Sequence, residues 1–279
     1  GSSLSDVFGE LNLEMPYGPV VAKVNNKVEG LNFRLYHNKD VEFLDMTSGS
    51  GSRAYTRTLF FVLCKAVHDL YPGSHVVIDI PVSNGYFVDL SIGHAVELDD
   101  VARIRQRMQE IVDAHLPVRR FEVPTEDAVK MFEDKGDSAK AKLLRSSGTL
   151  YTTYYQIDDY VDYYYGSLLT NTAKLYLFGL EKYFDGLLLR IPDRKNPGVL
   201  PEMTHQDKMF EIFKEHHRWQ DLIGVRTVGD FNELVAEGQA TDLINVSEAL
   251  QEKKIAKIAE EIANRKGIKL ILLAGPSSS

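Results

Sequence analysis

The stretch that decides the fold is His75-Val76-Val77-Ile78-Asp79-Ile80-Pro81-Val82-Ser83-Asn84-Gly85-Tyr86-Phe87-Val88-Asp89-Leu90-Ser91-Ile92. Branched and aromatic residues dominate both of its halves, and such residues favour β-strands. Ser83-Asn84-Gly85 separates the halves with small and polar residues that are typical of a turn. The stretch therefore predicts a β-hairpin.

Amphipathic helices are predicted on both sides of this hairpin. Residues 55–71 carry apolar side chains at three- and four-residue spacing, and Pro72-Gly73 ends the pattern. Residues 99–115 show a second stripe of this kind, and Thr125 begins a third helix. Helices packed on antiparallel strands predict an α+β domain.

A tyrosine-rich segment follows at residues 150–165. It holds seven of the chain's 14 tyrosines: Tyr151, Tyr154, Tyr155, Tyr160, Tyr163, Tyr164 and Tyr165. Because tyrosine favours strands and packs well across them, we expect a strand pair with an aromatic face. The alternative is a surface on which a ligand stacks. Further strands are predicted over residues 173–178 and 186–191.

The N-terminal residues predict a small unit of their own. Residues 1–15 have helical spacing, and residues 20–44 have the composition of strands, with a turn at Asn25-Asn26. The run Thr47-Ser48-Gly49-Ser50-Gly51-Ser52 predicts a linker of small residues and a domain boundary after residue 50.

The C-terminal part predicts further helices over residues 205–219 and 228–237. Asn245-Val246-Ser247-Glu248 resembles a capping box, so we expect a helix from there to Lys266. Its predicted buried face carries isoleucine and alanine: Ile255, Ile258, Ala259 and Ile262. The apolar residues 270–274 then predict a short strand.

The last five residues, Gly275, Pro276, Ser277, Ser278 and Ser279, match the start of a phosphate-binding loop, G-x-x-x-x-G-K-[ST]. The second glycine, the lysine and the Ser/Thr are absent from the sequence. On composition alone, a flexible serine-rich tail explains these residues better, and the order of the other parts is what favours the phosphate-binding loop.

Composition limits the classes of function. The net charge of −8 disfavours non-specific binding to nucleic acid, which needs Lys and Arg against phosphates. A local basic cluster at Arg190, Arg194 and Lys195 is a candidate phosphate contact or an ordinary solvated turn. One cysteine, Cys64, excludes an internal disulfide, and no apolar run is long enough to span a bilayer. We therefore expect a cytoplasmic protein without a membrane partner.

The order of parts resembles known proteins. Residues 1–50, with Val21-Ala22-Lys23-Val24-Asn25-Asn26-Lys27-Val28, resemble a TGS domain, a β-grasp unit, without its first strands. Residues 51–238 resemble the second additional domain of threonyl- and alanyl-tRNA synthetases. The matching pieces are Thr58-Leu59-Phe60-Phe61, Asp69-Leu70-Tyr71-Pro72, Ser83-Asn84-Gly85-Tyr86-Phe87-Val88-Asp89 and Tyr160-Val161-Asp162.

With a linker helix over residues 239–266 and a kinase strand over residues 267–279, the whole order resembles the long uridine-kinase-like nucleoside kinases. This resemblance implies a parent nucleoside kinase of the phosphoribulokinase/uridine kinase family, using ATP and Mg²⁺. The part present here would be its inactive, regulatory N-terminal region. The alternatives are an editing hydrolase of mischarged tRNA and a regulatory module that binds RNA or a nucleotide effector.

The synthetase resemblance also implies a metal site, through an H-x-x-x-H pair on the first helix and a C-x-x-x-H pair after Tyr-Val-Asp. These four positions fall on Arg57, Phe61, Tyr164 and Leu168 in this sequence. None of the four is a normal zinc ligand. We therefore expect no metal and no catalytic residues. We expect instead a ligand cleft that involves Arg57, Tyr164, Arg190 and Arg194.

Overall fold

The computed structural model describes residues 1–273 and residue 275. These residues form a mixed α+β fold with several small antiparallel sheets. The chain divides into two compact units, the first made of residues 1–128 and 149–213 and the second of residues 129–148 and 214–279. The predicted domain boundaries after residues 50, 238 and 266 remain predictions.

The helices are α1 (Leu4–Glu10), α2 (Gly49–Leu70), α3 (Leu98–Asp113), α4 (Thr125–Asp134), α5 (Ser138–Ser146), α6 (Asp207–Ile223), α7 (Val228–Ala236) and α8 (Ala240–Asn264). The strands are β1 (Ser2–Ser3), β2 (Val21–Val24), β3 (Lys27–Gly30), β4 (Arg34–Leu35), β5 (Val41–Leu44), β6 (His75–Val82), β7 (Gly85–Ser91), β8 (Arg119–Pro124), β9 (Tyr151–Ile157), β10 (Tyr160–Asp162), β11 (Gly179–Tyr183) and β12 (Gly186–Arg190).

The predicted hairpin is strands β6 and β7, which belong to a four-stranded sheet of order β11-β12-β7-β6. Ser83 and Asn84 form its two-residue loop, and both have positive φ, 53° and 56°. Positive φ at both positions defines the type I′ turn, whose twist suits a two-residue hairpin. A Cβ on Gly85 would lie 2.5 Å from the carbonyl oxygen of Leu189 on β12, so only glycine fits there.

This sheet buries both of its faces. Val88 and Leu187 point into the main core with α2 and α3, whereas Phe87 and Leu188 pack with Phe210 in a smaller cluster. Successive strand residues point to opposite faces, so the continuous apolar runs of β7 and β12 serve both cores. The sheet is therefore the centre of the first unit.

The N-terminal strands pack against the rest of the first unit. Strand β2 is the middle of the sheet β3-β2-β5, and Asn25 and Asn26 form the predicted turn with φ of 46° and 67°. Ala22 on β2 packs with Leu4 of α1, whereas Val21 joins the main core. The N-terminal residues therefore share a core with the residues that follow.

The predicted linker at residues 47–52 is wrong, because α2 begins inside it. The Ser48 hydroxyl accepts a hydrogen bond from the Gly51 N–H at 2.9 Å, which caps the helix. A Cβ on Gly51 would lie 1.9 Å from the carbonyl oxygen of Asp45. The small residues therefore allow a close approach of two backbone segments.

A buried ion network joins α2 to its neighbours. Lys65 is only 3% exposed, and its ammonium donates to Asp69 and to Asp159, each at 2.9 Å. Asp69 also accepts two hydrogen bonds from Arg107 of α3, at 2.8 and 3.0 Å. The carboxylate of Asp69 thus has two cationic partners, and the network fixes α2 against α3 and the β9–β10 turn.

The tyrosine-rich segment forms the predicted strand pair, β9 and β10, in the sheet β10-β9-β8. Tyr154 stacks on Phe121 of β8 with ring centroids 5.2 Å apart, which gives the expected aromatic face. The strand predicted over residues 173–178 is wrong, since a short 3₁₀-helix at Thr172–Lys174 is followed by irregular chain.

In the second unit, α5 and α7 pack closely. A Cβ on Gly229 would lie 2.8 Å from the backbone nitrogen of Leu143, so the glycine permits this approach. Lys142 of α5 pairs with Asp230 at 3.2 Å and with Glu233 at 2.8 Å. These contacts join two short helices that bury little apolar surface on their own.

The prediction for α8 was partly wrong. The helix begins at Ala240, so Asn245 lies inside it and is not a cap. No residue of α8 is buried, and the predicted buried residues Ile255 and Ile258 are exposed.

The strand predicted after α8 is not formed, because residues 270–273 are exposed and belong to no strand. Ala274 and the remaining phosphate-loop residues, Pro276 to Ser279, lie outside the described residues. No helix in the described part of the chain is both long and apolar enough to cross a bilayer.

Candidate functional site

Three of the four positions that the synthetase resemblance assigns to a metal, Phe61, Tyr164 and Leu168, form a packed cluster, and the fourth is Arg57. Phe61 is fully buried, Leu168 is 2% exposed, and the rings of Phe61 and Tyr164 lie 5.5 Å apart. Burial raises the pKa of the Tyr164 hydroxyl well above its usual value, so it stays protonated at neutral pH. A zinc ion needs deprotonated or neutral N, O or S ligands, and these residues do not provide them.

No group of three or more His, Cys, Asp or Glu that could hold a metal occurs anywhere in residues 1–273. The acids near the tyrosines have other roles: Asp159 pairs with Lys65, and Asp162 accepts a hydrogen bond from the Tyr163 N–H at 2.6 Å. The residues present therefore do not fit the metal that the resemblance implies.

Beside this cluster, a cleft of about 190 Å³ opens at the first turns of α2. It is lined by Val28, Ser50, Arg53, Arg57, Gly166 and Ser167. The Arg57 guanidinium lies over Gly166, where an added Cβ would come within 2.7 Å of Nη1. Gly166 therefore leaves the space that this guanidinium occupies.

The cleft is positively charged. Arg53 and Arg57 are four residues apart, so they lie on the same face of α2. Burial, and then the positive charge of Arg53, lower the pKa of Arg57, which indicates that the two guanidinium groups repel each other. The first turn of α2 contains no acidic residue, although acids are favoured at that end of a helix.

Arg194 extends this positive cluster. A Cβ added to Gly49 would lie 3.3 Å from Nη1 of Arg53 and 3.6 Å from Nη1 of Arg194, so these two guanidinium groups lie close to each other. No carboxylate in the described part of the chain forms an ion pair with Arg53, Arg57 or Arg194. Three arginines thus converge at the start of α2 without a compensating charge.

Two other predicted cleft residues lie apart from this cluster. Arg190 is paired with Glu181 at 2.6 Å and also donates to the carbonyl oxygen of Pro201. Tyr164 packs its ring on Phe61 and does not line the cleft. The structure therefore places Arg53 near both Arg57 and Arg194, whereas Arg190 and Tyr164 have other partners.

Sequence reasoning missed Arg53. The signal was present, because a helix predicted through residue 57 places residue 53 one turn earlier on the same face. Arg53 lies between the linker predicted at residues 47–52 and the helix predicted at residues 55–71, so its spacing to Arg57 was not considered.

A larger pocket, of about 410 Å³, lies at the β6–β7 turn. Its lining includes the turn residues, three prolines and several polar side chains: Ser52, Pro81, Val82, Ser83, Asn84, Gly85, Tyr86, Ile191, Pro192, Asp193, Arg194, Pro201 and Gln206. Arg194 lines this pocket and also belongs to the positive cluster at α2.

The turn is fixed by the segment before α6. The Ser83 N–H donates to Oε1 of Gln206 at 2.9 Å, and the Ser83 hydroxyl accepts from the Thr204 N–H at 2.8 Å. Ser83 is 2% exposed, so these bonds satisfy groups that water cannot reach. The wall of the pocket is therefore preformed.

Comparison with known proteins identifies the class of the region. No model of a known protein family matches the chain. The chain is 30% identical over 211 residues to the threonine–tRNA ligase of Syntrophotalea carbinolica, which covers 71% of this chain and 33% of the ligase. It is 25% identical to the ligase of Acetivibrio thermocellus and 28% identical to that of Rubrobacter xylanophilus, each over 181 residues and 28% of the ligase.

The protein therefore contains a threonyl-tRNA-synthetase-like region. The chain spans a third or less of the length of these relatives. The expected relation to synthetases is confirmed at this level. None of the relatives named here is a nucleoside kinase, and the kinase part of the expectation has no support from them.

Proposed function

We propose that residues 1–213 bind RNA of the tRNA type and do not hydrolyse the aminoacyl ester of a mischarged tRNA. The observation that carries this proposal is the pair Arg53 and Arg57 in a cleft beside Phe61, Tyr164 and Leu168. Three of the four positions that would hold the metal of a metal-dependent hydrolase, Phe61, Tyr164 and Leu168, carry packed side chains. The fourth position, Arg57, and its neighbour Arg53 carry positive charge, and neither forms an ion pair with a described carboxylate.

The chemistry of the cleft suits a phosphodiester. Guanidinium groups bind phosphate oxygens through two parallel hydrogen bonds, and Arg is preferred where such planar recognition is needed. The Ser50 hydroxyl in the cleft wall accepts from Nη2 of Arg53 and adds a donor of the kind that contacts nucleic-acid backbones, whereas the Ser167 hydroxyl already donates to the carbonyl oxygen of Val28 at 3.1 Å. The similarity to threonine–tRNA ligases makes tRNA the first nucleic acid to test.

The test is anisotropy of a fluorescently labelled tRNA with the parent chain and with Arg53→Ala/Arg57→Ala. We expect binding that weakens steeply with salt, and a salt dependence whose log–log slope falls by about 2 in the double variant, since each lost phosphate contact removes about 1. Arg105→Ala, an exposed arginine on α3, is the matched control and should keep the parent slope. Equal slopes for all three proteins would overturn the proposal.

Hydrolysis is tested separately with seryl-tRNA(Thr) in the presence of added zinc. We expect the same rate of deacylation with and without the protein. Deacylation together with one bound zinc per chain would favour an editing hydrolase instead.

The narrower hypothesis of a nucleoside-kinase parent rests on Gly275-Pro276-Ser277-Ser278-Ser279 and on the order of parts. ATP and Mg²⁺ as its cofactors and a nucleoside as its substrate remain predictions. Gly-Lys-Ser or Gly-Lys-Thr encoded directly after Ser279 in the gene would support this hypothesis, and another sequence there would remove its main observation.

A further inference from the structure

We propose that the pocket at the β6–β7 turn binds a phosphorylated small molecule of the size and kind of a nucleoside monophosphate. The phosphate would lie against Arg194 and the base against Tyr86 and the amides of Asn84 and Gln206. This inference goes beyond the proposed RNA contact, because its residues differ from Arg53 and Arg57. Either proposal can fail while the other holds.

The size and the lining of the pocket support this class of ligand. A volume of about 410 Å³ lies within the range of small-molecule sites, which is about 300–1,000 Å³. Pro81, Pro192 and Pro201 give flat apolar walls, and the half-buried ring of Tyr86 offers a face for stacking. Tyr86 is held by an edge contact with Phe60, with centroids 4.9 Å apart, so its ring is fixed in place.

The polar side chains of the lining include two amides, Asn84 and Gln206, and one guanidinium, Arg194. Gln206 uses Oε1 to accept from the Ser83 N–H, which directs its amide group without using the Nε2 donors. Asn84 donates to the carbonyl oxygen of Glu202 at 3.4 Å, a long bond that a ligand can replace. Amides of this kind recognise the hydrogen-bonding edge of a base.

Arg194 in the pocket lining supplies the charge for a phosphate. It has no carboxylate partner in the described part of the chain, and its neighbour Arg53 raises the local positive potential. The one acid in the wall is Asp193, whose Oδ1 accepts from the Lys195 N–H at 2.9 Å. Asp193 therefore opposes an anionic ligand but does not neutralise Arg194.

Two conservative variants change the charge of the pocket in opposite directions. Gln206→Glu keeps the acceptor for the Ser83 N–H and adds a negative charge. Asp193→Asn keeps the acceptor for the Lys195 N–H and removes a negative charge. Both changes preserve the hydrogen bonds that hold the walls, so a folding defect is not expected to explain their effects.

The experiment is calorimetric titration of the full chain with UMP, AMP, uridine and inorganic phosphate. We expect the parent chain to bind at least one monophosphate saturably. Binding should be at least tenfold weaker in Arg194→Ala and similarly weaker in Gln206→Glu. Binding should be severalfold tighter in Asp193→Asn. Uridine and phosphate alone should bind more weakly than the intact nucleotide. Arg105→Ala is the matched control and should bind like the parent.

A parallel titration with a short CCA-ended RNA distinguishes a free nucleotide from the end of an RNA strand. Competition of the RNA with UMP or AMP, lost in Arg194→Ala, would assign the same pocket to a strand terminus and overturn the small-molecule source. No saturable binding of either monophosphate, or equal affinity in parent, Arg194→Ala and Gln206→Glu, would overturn the site. If tRNA binding still depends on Arg57 in that case, the proposed function stands without this pocket.

Discussion

Replacing Lys65 with methionine tests how the buried ion network contributes to stability. Methionine keeps the volume of the lysine stem and removes the ammonium, so the change isolates the charge. Asp69 retains its two hydrogen bonds from Arg107, and Asp159, which is 76% exposed, returns to water. The variant therefore leaves no isolated buried charge.

The expected loss follows from these partners. Breaking a buried pair costs about 3–5 kcal/mol when the remaining charge is left unpaired. An exposed pair contributes about 0.2–1 kcal/mol. A hydrogen bond to a charged group makes a net contribution of about 1.5–3 kcal/mol. Because one acid keeps a partner, the other is exposed, and the variant no longer buries an ammonium, we expect Lys65→Met to lower the free energy of unfolding by about 1–2 kcal/mol.

The loss should also depend on pH. Burial by itself lowers the pKa of Lys65, but its hydrogen bonds with Asp69 and Asp159 raise the pKa overall. The hydrogen bond from Lys65 lowers the pKa of Asp159. The contribution is therefore complete between the ordinary pKa values of 3.8 and 10.5, and it is lost as the pH falls below the first or rises above the second.

The chain offers a selective assay. All 14 tyrosines lie between residues 17 and 183, in the first unit, whereas the single tryptophan, Trp219, lies in the second. Urea unfolding followed by the near-ultraviolet tyrosine signal reports the first unit, and Trp219 emission reports the second. Lys65→Met should shift the tyrosine transition and leave the tryptophan transition in place.

Lys208→Met, at an exposed lysine of the first unit, is the control and should change stability by less than about 0.5 kcal/mol. A variant as stable as the parent would show that the network contributes no net stability. A loss above about 3 kcal/mol would show that Arg107 does not compensate Asp69. Either result refutes the reasoning.

Three further predictions follow from individual residues. Gly51→Ala should destabilise the first unit by at least about 2 kcal/mol, because its Cβ would lie 1.9 Å from the carbonyl oxygen of Asp45. The Cβ of Gly9→Ala on α1 meets nothing within 4 Å, so this variant should stabilise the unit by about 0.5–1 kcal/mol. Urea unfolding compares the two variants with the parent. Tag-free protein treated with chelator and then dialysed against zinc should hold well under one zinc per chain by elemental analysis, and one equivalent would contradict the packed site. Calorimetric titration of the Arg194→Ala variant with Mg·ATP should show no saturable micromolar binding, since no G-x-x-x-x-G-K-[ST] motif occurs in residues 1–279 and the variant lacks the proposed phosphate contact of the β6–β7 pocket; tight binding would place a nucleotide site elsewhere in these residues.

Local patterns predicted the elements whose signals lie in adjacent residues. The turns at Asn25-Asn26 and Ser83-Asn84 were found because small and Asn residues tolerate positive φ. The pairing of Arg190 with Glu181 could not be found in this way. It depends on the register in which β11 pairs with β12, and no local pattern shows that register.

Errors arose where composition had two physical meanings. The Gly and Ser residues at 47–52 suggest flexibility, but at Gly51 the absence of a side chain serves a close contact with Asp45. The isoleucines of α8 suggest a buried face, but burial also requires a neighbour, which the periodicity does not supply. Of the residues named for a ligand cleft, Arg57 lines the cleft at α2 and Arg194 lines the larger pocket, whereas Arg53 was not named.

The packed cluster of Phe61, Tyr164 and Leu168 has a consequence for the cell as well as for chemistry. A fold that uses a metal to satisfy polar ligands in its interior depends on the supply of that metal during synthesis. Here the same space is filled by side chains that stabilise each other by contact alone. The first unit should therefore reach its folded state at the same yield in zinc-starved and zinc-replete cells.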